Sequence, residues 1–180
     1  IAGMFFMLMF LTRSALRLHR LKRAALPLQN VRVRRLYQCC LKEAGIVKNI
    51  PVYSSAFLKS PVITGLWKPS VYLPVSFVSE CPSVNLRYML LHELQHHKHM
   101  DVLAGYLMNL AGMVYWFNPL VWHALMEMQH DREIACDASV LKMLEKEDYI
   151  NYGNTLINFA QKVSLSPFPF TAGLGGDMKQ

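Results

Sequence analysis

The sequence predicts an α+β fold, mainly α, with a small β-sheet, preceded by the end of a transmembrane helix. Three observations carry that expectation. Apolar residues recur at three- and four-residue spacing over several segments, as on the buried face of an amphipathic helix. Between residues 52 and 73, short β-branched and aromatic runs are broken by Pro and Gly, as short strands are. The chain also opens on an apolar run, Ile1 to Leu11, followed at once by Arg13, Arg17, Arg20, Lys22 and Arg23.

Composition agrees. A chain of 180 residues is one domain by the usual prior and large enough for a real core. It is 53% hydrophobic and only 17% charged, against about a quarter charged in typical soluble proteins. Membrane contact is the simplest cause. The net charge of +7 raises nucleic acid as a partner, but the basic residues gather beside the apolar run, without interleaved aromatics or a recognition fold. No direct nucleic-acid contact is expected.

In chain order, Ile1 to Leu11 is too short for a full span, which needs about 20 residues. It lacks the charged start and small-residue cleavage site of a secretory signal. A chain starting on Ile reads as cut inside a transmembrane helix, and the basic cluster beside it marks the cytoplasmic side. Val33, Leu36, Tyr37, Cys40, Leu41 and Ala44 form the apolar face of a helix that Gly45 can end. Val52 to Phe57, Val62 to Leu66 and Val71 to Leu73 read as strands. A helix starts at Pro82 to Ser83 and runs to about His99, with Met89, His92, His96 and His99 in one stripe.

Val102 to Ala124 is long and apolar enough to suggest a membrane crossing. A buried core helix or a shallow re-entrant hairpin fits better, for a reason given by the residues on either side. Asn118 and Pro119 suit the N-cap and first position of a further helix reaching about Leu144. Trp116, Phe117 and Trp122 around that break suit an interface. A last helix is expected near Asp148 to Val163, with Tyr149, Leu156, Phe159 and Val163 on one face. Cys39, Cys40, Cys81 and Cys136 form no C-x-x-C and read as reduced thiols.

The chemistry lies in His92-Glu93-Leu94-Gln95-His96. Residues four apart share a helix face, so both imidazoles can reach one cation, with Glu93 close by. This is the H-E-x-x-H pattern of zinc peptidases, in which the Glu handles the proton of the attacking water. Catalytic zinc usually takes three protein ligands and keeps a position open. Glu133, in Glu133-Ile134-Ala135-Cys136-Asp137, is the best-placed third ligand. Asp137, one turn on, can accept the free N–H of a ligating His. Because His92, His96 and Glu133 must meet at one ion, both ends of Val102 to Ala124 must lie on one side, which excludes a single crossing. His97 cannot share the metal with adjacent His96, and neither it nor His99 is given a metal role. His130, a turn before Glu133, is a candidate donor to the developing oxyanion, against the plainer reading of a surface His.

The two motifs together resemble the gluzincin peptidases. Ser60 to Gly65, Lys68 to Pro74, His92 to Asp101, Trp116 to Trp122 and Glu133 to Asp137 follow in an order similar to that of the BlaR/MecR-type integral membrane metallopeptidases. These are β-lactam-responsive signal transducers and their relatives, and the resemblance covers roughly residues 50 to 160. It implies Zn²⁺, a protein substrate such as a transcriptional repressor, and a cell-membrane protein with its peptidase domain on the cytoplasmic side, in contact with lipid. Self-cleavage in such transducers would fall here at Leu165 to Phe170. In gluzincins a strand beside the active-site helix pairs with extended substrate, a role placed on Val71 to Leu73. The expected division is 1–23 as the end of a span and its basic flank, 24–163 as the zinc peptidase domain, and 164–180 as a linker or truncated segment. Rival functions are a CAAX-processing or stress-type membrane peptidase, and a non-catalytic zinc-fold signalling module.

Overall fold

The computed structural model describes residues 2–164. Leu165 to Phe170, where self-cleavage is expected, lie outside the described residues. The fold is α+β and mainly helical, as expected. Helix α1 (Ala2–Ala24) leads through β1 (Leu26–Pro27) into α2 (Val31–Glu43). Three strands follow, β2 (Val52–Ser55), β3 (Val62–Thr64) and β4 (Ser70–Pro74). Then come α3 (Val75–Glu80), α4 (Ser83–Lys98), α5 (Asp101–Val114) and α6 (Pro119–Leu141), and α7 (Tyr149–Ser164) after a short 3₁₀ turn.

The apolar opening and the basic residues after it share one continuous helix. No helix among the described residues is long and apolar enough to cross a membrane. Helix α2 matches its periodicity. Asn30 caps it by accepting from the Val33 amide, and Val33, Tyr37, Cys40 and Leu41 turn inward. Gly45 follows with φ +70°, a left-handed conformation that suits glycine after a helix end.

The sheet order β1-β2-β4-β3 corrects one expectation. Val71 to Leu73 is not the strand open to substrate. β4 pairs in parallel with β2 and antiparallel with β3, so both its edges are taken. The physical reason is burial: Val71 and Leu73 are fully enclosed and Tyr72 is 5% exposed, so side chains on both faces of the strand need cover. β3, only three residues long, takes the edge. Gly65 turns the chain from β3 to β4 with φ +103°, and a Cβ there would run into the Lys68 carbonyl. Gly65→Ala is therefore expected to lower stability by about 1–3 kcal/mol, the cost of forcing a side chain into that conformation. Chemical denaturation of the two proteins measures it.

Helix α4 is the centre of the packing. It touches α2, α5, α6, α7 and β3. Leu86, Tyr88, Leu90, Leu91 and Leu94 are all fully buried. A helix apolar nearly all round is one enclosed by neighbours, and here the neighbours come from both ends of the chain. Its polar residues thus sit in fixed surroundings.

Val102 to Ala124 is a helix, a break and a helix. Asn118 caps α6 by accepting from the Leu120 amide at 3.0 Å, with Pro119 in the first turn, as the dipeptide predicts. Trp122 Nε1 donates to the Trp116 carbonyl at 2.9 Å and pins the corner. The stretch is not a buried core helix, since Tyr106, Leu107, Leu110, Val114, Phe117 and Leu120 are all exposed.

Candidate metal centre

Two helices build the site. α4 contributes His92 and His96, one turn apart, and α6 crosses it with Glu133 and Asp137, also one turn apart. The two Nε2 atoms lie 3.0 Å apart. Glu133 Oε2 lies 3.5 Å from that of His92 and 3.6 Å from that of His96. Bonds of about 2.0–2.2 Å to a tetrahedral zinc ion set its donors about 3.3–3.6 Å apart, so this triangle is close to the right size.

The other ring nitrogens settle which way the lone pairs point. His92 Nδ1 lies 3.0 Å from Asp137 Oδ1, and His96 Nδ1 lies 2.6 Å from Asp101 Oδ2. A carboxylate only accepts, so each Nδ1 carries a proton and each Nε2 is the atom left to take up a cation, whether a proton or a metal ion. Two lone pairs and a carboxylate oxygen converging on one point repel each other unless a cation lies among them. The titration shifts have the same origin. Burial disfavours the charged imidazolium of His92, but hydrogen bonds to Asp137 and Glu133 outweigh it and raise its pKa to about 9. Burial also opposes charge on His96, yet Cys136, Glu133, Glu93 and Asp101 raise its pKa to about 11. The two histidines hold the Glu133 carboxyl far below the usual range. The donor set, nitrogen and oxygen at this spacing, fits zinc.

Glu93 lies beside this triangle rather than in it. Its Oε2 accepts the backbone N–H of Ile63 in β3 at 3.2 Å, and burial pushes its pKa up. A carboxyl so placed is suited to holding and releasing a proton.

His92, His96, Glu133 and Asp137 are thus brought together, with Glu93 alongside, as the spacing leads one to expect. His130 is not. It stands exposed on α6, and among the described residues no hydrogen bond or ion pair ties it to the others. His99 stays out of the triangle, its Nε2 3.2 Å from the Ser139 hydroxyl.

Tyr152 on α7 was not legible beforehand. It is buried, and its hydroxyl donates to Asp137 Oδ1 at 2.6 Å while lying 3.1 Å from His92 Nδ1. No short motif signals it, because α7 reaches the site from sixty residues beyond His92. Asp101 joins the site from just past the end of α4, as the first residue of α5. All four cysteines are unbridged, as expected.

Known proteins offer a comparison. The chain is similar to the regulatory protein BlaR1 of Bacillus licheniformis, 33% identical over 159 residues, which is 88% of this chain and 26% of that protein. It is 32% identical over 123 residues, 68% of the chain, to the methicillin resistance mecR1 protein of Staphylococcus aureus strain Mu50, of which 21% is covered. It is 27% identical over 111 residues, 62% of the chain, to the regulatory protein BlaR1 of Staphylococcus aureus, of which 19% is covered. The chain therefore spans about a quarter or less of the length of these relatives. The family model described as BlaR1 peptidase M56 matches residues 1–175, a stretch that takes in both helices of the metal triangle and the sheet beside them, and the chain belongs to that family of metallopeptidases.

Proposed function

We propose that this chain is the proteolytic part of a membrane-associated zinc endopeptidase, a signal transducer in the β-lactam response. One observation carries the reading: His92, His96 and Glu133 converge on a point while Glu93 stands beside it, its proton affinity raised by burial. The relatives' names, a regulatory protein and a methicillin resistance protein, support the signalling role. The substrate is a cytoplasmic protein, a transcriptional repressor or the protein itself. The basic residues Arg13, Arg20, Lys22 and Arg23 on α1 support a place at the inner face of the cell membrane, in contact with lipid.

His92, His96 and Glu133 would hold the zinc, whose charge polarises a peptide carbonyl and acidifies water. Glu93 takes the proton of the attacking water and returns it to the leaving nitrogen. Asp137 and Tyr152 keep the His92 ring turned for binding. The free edge of β3 can align an extended peptide. Ile63 donates away from β4, toward Glu93, and its carbonyl lies on that same outer side by strand alternation. Cleavage thus happens next to the strand that holds the substrate. His130 is left as a donor only for a substrate that brings the oxyanion out to α6.

Metal removal tests this reading. The intact protein should carry one zinc per chain. Its cleavage of a transcriptional-repressor substrate should stop on chelation and return with added zinc. Zinc-free protein of full activity would end the proposal.

A further inference from the structure

Resting on that reading of the triangle, we propose that Asp101, clamped by Arg132, is the positioning residue that fixes His96 as a metal ligand, so that each ligating imidazole has its own carboxylate.

The observations are geometric. Asp101 is 6% exposed, a burial rare for an aspartate without partners. It has two sets of partners, one on each carboxylate oxygen. Oδ2 faces His96 Nδ1 at 2.6 Å, and Oδ1 accepts from Arg132 Nε at 3.0 Å. Arg132 also donates through a terminal nitrogen to the Asp101 carbonyl at 3.1 Å, so the guanidinium grips both backbone and side chain. The Cys136 thiol, wholly buried on α6, closes the pocket at 3.4 Å from Oδ2 and 3.2 Å from His96 Nδ1. Oδ2 is left facing His96 and that thiol.

The backbone is shaped to put Asp101 there. Helix α4 ends at Lys98, and Met100 adopts φ 59°, the only non-glycine residue among those described with a positive φ. That conformation is strained for a residue other than glycine. It reverses the chain in one step, so that the first residue of α5 returns alongside the second imidazole of α4. A chain continuing as helix would carry position 101 past that ring, since residues five apart do not share a helix face.

His92 and His96 are then supported differently. The carboxylate behind His92 is 38% exposed at its side chain and braced by a neutral tyrosine hydroxyl, whereas the one behind His96 is 7% exposed and braced by a cation. Arg132 stands next to Glu133 in sequence. The residue that steadies one ligand's partner is thus joined covalently to another ligand, and α5, α6 and the end of α4 are locked together at the ion.

The test uses the intact protein and reads zinc affinity by competition with a chromophoric chelator, alongside the melting temperature of the metal-free form. Asp101→Ala should weaken zinc binding by about 10- to 100-fold, the usual effect of removing a carboxylate from behind a ligating His. Asp101→Asn keeps an oxygen acceptor and should recover most of that loss, while Arg132→Ala should weaken binding less than Asp101→Ala. A merely structural tether would behave otherwise. Asp101→Asn and Arg132→Ala would then match Asp101→Ala in both readouts, and that pattern overturns the proposal. Unchanged zinc affinity in Asp101→Ala, with stoichiometric zinc in the wild type, overturns it while leaving the triangle intact. Absence of zinc from the wild type would overturn both.

Discussion

Glu93→Gln should retain its zinc and lose its turnover. The amide has nearly the same shape as the carboxyl and can still accept the N–H of Ile63, so neither α4 nor β3 has reason to move. What it cannot do is take a proton. Proton transfer by a positioned side chain is worth about 10²–10⁴ in rate, and a loss of that size in kcat is expected, with metal content unchanged. Burial is what equips the native residue: it raises the carboxyl's pKa, so the proton taken from water is held long enough to be handed on. The measurement is single-turnover cleavage beside elemental analysis of the same preparation. It also separates the peptidase from a zinc-fold module that signals only by docking, since such a module would be indifferent to the substitution.

Glu133→Ala should do the opposite and lose the metal first. Only two imidazoles would remain, below the three protein ligands that a catalytic zinc site normally has. Their lone pairs, 3.0 Å apart, would keep their mutual repulsion without the carboxylate's charge to balance a cation. Substoichiometric zinc is expected at metal concentrations that saturate the wild type, with activity falling in proportion. Stoichiometric, tightly held zinc in Glu133→Ala would remove this residue from the ligand set. It would also leave the triangle without its link to α6.

Much of this centre was legible from residue types at fixed spacing. His92 and His96 are four apart on a helix, a rule of local geometry, and Glu133 with Asp137 repeats it. The Asn118-Pro119 break was equally local, a cap and a ring that fits the first turn. What stayed hidden depends on the third dimension. Val71 to Leu73 and Val62 to Thr64 look alike as short apolar runs, and only the sheet order, with β4 between β2 and β3, decides which lies inside the sheet. Tyr152 and Asp101 act through partners that no motif links to them. The exposed faces of α5 and α6 were hidden for a different reason: apolar periodicity reports a side chain's chemistry, whether or not anything covers it.

The triangle draws its corners from two helices, α4 enclosed in the core and α6 largely bare to its surroundings. A bound cation therefore acts as a rivet between a firm member and a loosely supported one. Metal that binds only the assembled pair adds RT ln(1 + [L]/Kd) to its stability, about 4 kcal/mol at a thousandfold excess over Kd. On the proposed reading, the endurance of the folded chain would be set partly by the free zinc around it, and a cell that withholds the ion would loosen the protein as well as silence it.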